Sequence, residues 1–421
     1  MSDLAIQIMI YAVKILVIFG VVLGCVPFMV LLERILLARI QHRIGPNRVG
    51  LDFIPGLGFL KNKFIIGGIL QAIVDGAKLF LKEEVRVRAA DPILHKFAPL
   101  ITIVPAIMIL AIVPVGPAID LTILGRPFHV PLAITDLEVG ILFYLAVTGI
   151  AVYGIVLAGY SSNSKYSLLG GIRSSAQMIS YELAMGLSLV GVLLIAGSFS
   201  LSRLIGIQDG GIWNWNIWKQ PIGAAIFLVA GFAESNRLPF DLPEGESELG
   251  AGFHTEYSSM KFAMFFMAEY MNMFTSSAIM TTLFLGGFHG PFPILPEPVL
   301  AAIDQPVLGV AGGVGSALIG IFWFAAKVFV LICFYILIRG TLPRFRYDQL
   351  MDLGWKVMLP AAFVNMTVTA AVVALVGPMT DASVPAGPAL TAGLFVAGII
   401  QVVVIDRILT ARKRRILGHA H

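Results

Sequence analysis

Nine apolar runs of about 20 residues dictate what this chain can become. A helix needs about 20 apolar residues to cross roughly 30 Å of hydrocarbon. The runs fall at about 9–31, 93–113, 134–158, 175–197, 221–240, 262–285, 315–338, 357–377 and 389–408. Inside lipid every backbone polar group must be satisfied within the protein, and runs of this length do so as helices. The predicted fold is therefore all-α, a polytopic integral membrane protein in one transmembrane domain over 1–421. The fifth run is the weakest, because it loses apolar character at Glu234 and meets Pro239 and Pro243, which disfavour continued helix. Composition agrees: 58% of residues are hydrophobic and 13% charged, with mean hydropathy +0.89, against about 25% charged in soluble domains.

Lys and Arg set the orientation. The loops on one side hold 24 of them, and the other side holds Arg126, Arg203 and Lys219. The positive-inside rule makes the first side cytoplasmic, with the N-terminus outside and the C-terminus inside. The tail Arg412-Lys413-Arg414-Arg415 follows a span directly, so it reads as a lipid-headgroup anchor and not a nucleic-acid patch. The first apolar run has no basic n-region or cleavage site ahead of it, so no signal peptide is expected. A bacterial inner (plasma) membrane is the expected location.

The two cysteines, Cys25 and Cys333, both fall in predicted spans, and the seven histidines are scattered. A disulfide framework, a four-cysteine cluster site and a protein-encoded metal site are not expected.

Residues 66–82 have a different pattern. Ile66, Ile69, Leu70, Ile73, Val74 and Ala77 share one helical face, and Gln71, Asp75, Lys78 and Lys82 line the other. This predicts an amphipathic helix lying in the membrane plane or packed on other subunits. A lipophilic substrate such as a quinone would partition to the depth of such a helix.

The densest acidic stretch runs from Glu234 to Glu269. It contains Glu234, Asp241, Glu244, Glu246, Glu248, Glu256 and Glu269, seven of the chain's 25 acidic residues. Ionisable groups near hydrocarbon are costly and mark proton or ligand sites; the alternative is a solvated loop that happens to be acidic. Two charges about 4 Å apart interact by about 4 kcal/mol at an effective dielectric of 20. These carboxyls therefore titrate as a group. Arg173 and Arg237 are the predicted charge partners. Glu182 lies inside the fourth run, Asp136 and Glu138 open the third, and Asp136 is also a candidate helix cap. Lys327 lies mid-run in the seventh, where a buried lysine needs a partner; Glu182 is one candidate.

Four segments carry a resemblance. They are Gln41–Gly50, with Gly45-Pro46-Asn47-Arg48-Val49-Gly50 and the following Leu70-Gln71 and Asp75-Gly76; Gly170–Glu182; Ala233–Leu249, with Pro239-Phe240-Asp241-Leu242-Pro243-Glu244-Gly245-Glu246-Ser247-Glu248; and Pro343–Leu350. Over essentially its whole length, and in order, the chain resembles the H-type membrane subunit of proton-translocating NADH:quinone oxidoreductase, respiratory complex I. It departs from that family at residues 51–66, which intervene where the family connects its elements more directly.

The resemblance implies a subunit at the junction of the membrane and peripheral arms that lines part of a quinone chamber. It implies chamber roles for Glu33, Arg34, Gln71, Asp75, Lys78, Phe262, Phe265 and Phe266. For Glu33 and Arg34 the alternative is an interfacial ion pair, and for the phenylalanines it is plain packing. It implies a proton path through Glu182, Glu234, Asp241, Glu244, Glu246, Glu248, Glu256 and Glu269. It implies docking of the peripheral arm on Arg344, Arg346 and Asp348, near Gln349. Quinone would be the substrate. FMN and iron–sulfur clusters would sit in partner subunits, with no cofactor bound by this chain. The other readings are the equivalent subunit of a membrane-bound hydrogenase and a stand-alone cation transporter.

Overall fold

The computed structural model describes residues 3–46, 49, 68, 70–123, 126–242, 250, 252–292, 304 and 311–376, with a few positions between 393 and 401. Glu244, Glu246, Glu248, the 51–66 segment, most of the ninth predicted span and the basic tail lie outside the described residues.

The chain folds as helices in the order α1 (Asp3–Ile40), α2 (Gln71–Leu81), α3 (Pro92–Met108), α4 (Gly140–Ser161), α5 (Lys165–Ala196), α6 (Leu201–Gly206), α7 (Asn216–Lys219), α8 (Pro221–Glu234), α9 (Ser259–Phe284), α10 (Val314–Thr341), α11 (Tyr347–Leu353) and α12 (Leu359–Val376). A single π-helical stretch, Gly354–Met358, joins α11 to α12. Among the described residues six helices are long and apolar enough to cross a membrane: α1, α3 with its 3-10 extension, α4, α5, α10 and the continuous α11–α12 segment. α8 coincides with the weak fifth run and is 14 residues long. α9 covers the sixth run over 26 residues.

One element lies outside the all-α expectation. β1 (Ile119–Ile123) and β2 (Arg126–Val130) form an antiparallel hairpin, and β3 (Ala311–Gly312) pairs with β1 on its other edge, giving the order β2-β1-β3.

Helices in lipid gain little from apolar burial alone, so close backbone approach and polar contacts between helices hold such a bundle together. The α3–α4 contact shows the first device. A Cβ on Gly154 would stand 2.1 Å from the Thr102 hydroxyl, so only glycine permits this approach. Gln177 of α5 shows the second. It donates to the carbonyls of Ala233 (3.0 Å) and Phe240 (2.8 Å), which ties α5 to the end of α8 and the segment beyond it. Around these contacts Tyr181, Met185, Leu189, Phe227, Leu283 and Phe284 form a fully buried core.

α2 begins at Gln71. None of its residues is buried within the chain, and Ile73, Phe80 and Leu81 are exposed. Its polar face is tied to α1, because Arg34 pairs with Asp75 at 2.8 Å and Gln71 donates to Asp75 at 2.9 Å. Its C-terminal end is held by Ser259, whose hydroxyl donates to the carbonyls of Leu79 (3.0 Å) and Lys82 (2.8 Å).

Candidate functional site

The C-terminal part of α1 carries Glu33, which is 6% exposed. A buried carboxylate needs compensating charge and hydrogen bonds, and three elements supply them. Tyr270 of α9 donates to Glu33 Oε2 at 2.8 Å. Arg339, in the last turn of α10, bonds Glu33 Oε1. Arg237, just beyond α8, brings Nη1 to 3.5 Å from Glu33 Oε2. Arg237 also places Nε 3.9 Å from Glu269 Oε2, and Glu269 Oε1 faces His254 Nε2 at 3.6 Å.

Arg237 is 4% exposed and lies over the rings of Tyr270 (4.0 Å) and Phe266 (5.3 Å). Its nitrogens make no hydrogen bond of ordinary geometry in the structure. Charge and ring contact hold it more than directed bonds do. Two carboxylates and two guanidinium groups thus balance in one buried cluster.

A second group lies deeper along the bundle. Tyr144 of α4 has its hydroxyl 3.4 Å from Glu234 Oε2 and 3.5 Å from the Met185 sulfur. Glu182 of α5 approaches the same region against α4, where a Cβ on Gly149 would stand 3.1 Å from Glu182 Oε1. Glu182 and Glu234 are near enough for their charges to interact.

Asp241 is 4% exposed, with Arg344 Nη2 3.9 Å from its Oδ1. The segment around it is clamped. Tyr181 packs edge-on against Phe240 and donates to the Leu350 carbonyl at 2.9 Å, and the Phe345 amide donates to the Pro239 carbonyl at 3.2 Å. These contacts fix Pro239 and Phe240 against α5 and the start of α11.

The sequence-predicted residues sort as follows. Glu33, Glu269, Arg237 and Phe266 meet in one cluster, with Arg34, Asp75 and Gln71 beside it. Glu234 meets Tyr144, and Glu182 lies against Gly149 of the same helix. Arg173 sits 4.9 Å over the Tyr347 ring. Phe262 stacks on Phe266 at 5.9 Å. Phe265 is 1% exposed and packs with Phe253, His254 and Tyr257, which is the packing alternative. Glu256 is partly buried ahead of α9, and Lys78, Arg346 and Asp348 are exposed. Asp136 does not cap α4; it accepts from Ser200 at 3.3 Å.

Lys327 corrects an expectation. Its partners are the carbonyls of Leu285 (2.6 Å), Gly287 (3.0 Å) and His289 (2.5 Å), with the Trp215 ring 4.2 Å away, and not Glu182. The cation sits at the C-terminal end of α9, where the helix dipole favours it. α10 extends beyond that level, so a lysine in the middle of its run meets the end of its neighbour.

Sequence reasoning passed over Tyr270, Arg339 and His254. Arg339 looked like ordinary positive-inside charge, and Tyr270 like an aromatic neighbour of Glu269. It also passed over Lys261, which bonds Glu84 and lies 3.2 Å from His95 Nδ1, while His95 stacks on Tyr257 at 4.1 Å. The Lys261 hydrogen bond holds Glu84 below the usual carboxylate range. A depressed carboxylate pKa contributes stability that is present above its unfolded value and is lost as pH falls through the folded one. Glu84 is half-exposed, so the effect stays under about 1 kcal/mol. We expect amide exchange at Val85, whose N–H donates to Ser258 Oγ at 2.9 Å, to speed up less than about fivefold between about pH 6 and about pH 3.5, after correction for intrinsic rates. Lys261→Met should abolish that increment.

A family model described as NADH dehydrogenase matches residues 13–370. An NADH-quinone oxidoreductase H subunit of Koribacter versatilis is 45% identical over 89% of this chain and 100% of its own length. An NADH-quinone oxidoreductase H subunit of Geobacter metallireducens is 46% identical over 86% of this chain and 95% of its own. The NADH-quinone oxidoreductase H subunit of Protochlamydia amoebophila is 43% identical over 82% of this chain and 91% of its own.

Proposed function

The chain is a multi-pass membrane protein of the NADH dehydrogenase family, and from that premise we propose that it couples quinone reduction to proton movement as the H-type subunit of a bacterial NADH:quinone oxidoreductase. The buried Glu33–Arg237–Glu269 cluster carries this reading. It joins the inner ends of α1, α9 and α10 to the start of the acidic stretch, beside the amphipathic helix α2 on which a quinone would travel.

Reducing a quinone to a quinol consumes two electrons and two protons. The electrons come from flavin and iron–sulfur groups in partner subunits; this chain supplies chamber wall and charge. Glu33, Arg34, Gln71, Asp75 and Phe266 line its share of the chamber. A change of charge there alters which carboxylate Arg237 faces, Glu33 or Glu269. That alters the proton affinity of the acidic residues following α8, and Glu234 and Glu182 carry the change into the bundle. Arg346 and Asp348, exposed at the head of α11, take the peripheral arm. The membrane is the bacterial inner membrane, with the N-terminus outside.

The test is purification by a tag on this chain. We expect co-purification of flavin and iron–sulfur subunits and NADH:quinone reductase activity in the assembly. A protein that purifies alone and still moves cations would be a transporter, and the reading would fall.

A further inference from the structure

α1 and α10 touch at their inner ends and part towards the outer side. At the inner end a Cβ on Gly340 would stand 2.8 Å from Ile40. Outward the helices separate around an apolar groove of about 650 Å³, running from Val13 to Leu32 on α1 and floored by Phe274 and Ala278 of α9. Val13 to Leu32 is about 28 Å along the helix, close to the roughly 30 Å of the hydrocarbon layer. Among the residues lining it, Lys14 is the only charged one. Its ammonium donates to the Ala133 carbonyl at 3.1 Å near the outer rim. An ammonium has three donors, and that bond uses one.

On the orientation proposed above, we propose that the half of this groove nearest Lys14 binds an anionic phospholipid of the outer leaflet, with the acyl chains between α1 and α10 and the phosphate at Lys14. The single cation argues against a neutral lipophile, because a basic group at the rim of an apolar slot matches a negative headgroup above an apolar tail.

The test uses the assembled complex purified in detergent, with bound phospholipid counted by native mass spectrometry. Ala325→Trp fills the groove from an exposed position on α10 and should remove one tightly held phospholipid per complex. Lys14→Met should keep the lipid site and lower its preference for phosphatidylglycerol over phosphatidylcholine about fivefold. Cys25 lines the same groove and gives a test that needs no variant. A membrane-soluble maleimide should label it faster after delipidation, and added phosphatidylglycerol should restore protection. An unchanged lipid count in Ala325→Trp, unchanged headgroup preference in Lys14→Met, or a Cys25 that stays unlabelled after delipidation would each overturn the proposal.

Discussion

Arg237→Met should cost the assembled complex at least tenfold in quinone reductase activity. Removing one member of a buried charge cluster leaves its partners uncompensated, at about 3–5 kcal/mol. Here Glu33, also held by Arg339 and Tyr270, and Glu269, faced by His254, would both lose their shared guanidinium. The control is Arg237→Met with Glu269→Gln. Deleting both charges should recover part of the lost activity and stability, a coupling that a double-mutant cycle measures directly. If the double variant is as impaired as the sum of the singles, Arg237 and Glu269 do not share charge. Arg237→Lys should not rescue fully, because an ammonium cannot lie flat over Tyr270 and Phe266 while reaching two carboxylates.

Glu234→Gln should separate two activities that normally move together. Glutamine keeps the shape of the side chain and cannot take up a proton. NADH oxidation with an artificial electron acceptor should persist, while proton translocation driven by quinone reduction should fall about tenfold or more. Tyr144→Phe removes the hydroxyl 3.4 Å from Glu234 and should give a smaller loss of the same kind. Glu182→Gln should resemble Glu234→Gln. Measuring reductase rate and acidification in the same proteoliposomes distinguishes loss of coupling from loss of assembly. Wild-type pumping in both glutamine variants would remove the carboxylates from the path.

Hydropathy made the membrane fold legible, because a run of about 20 apolar residues has few other fates. The long motifs made the family legible. Depth and partnership were harder to read. Lys219 counts as an outer-loop cation in the charge tally, yet it is 1% exposed, and burial pushes its ammonium down to about 8. β3 escaped notice because it is two residues long and pairs with β1 nearly two hundred positions away, whereas the local β1–β2 hairpin was passed over as a connection between two apolar runs. Glu33, Glu269 and Arg237 were each legible as candidates, but their meeting is a property of how α1, α9 and the segment after α8 pack. Arg339 shows the limit most plainly, since the same residue type in the same loop position serves topology when exposed and charge balance when turned inward.

α10 is fastened to its neighbours at two places of different chemistry. Lys327 is gripped by three backbone carbonyls and Arg339 by the Glu33 carboxylate, about 18 Å apart along the helix. Carbonyls do not titrate, whereas a carboxylate releases its partner when protonated. Mechanically the helix has two fastenings, a cation held by helix-end carbonyls near its middle and an ion pair in its last turn. A proton on Glu33 would thus weaken the Arg339 ion pair and leave the carbonyl contacts of Lys327 in place.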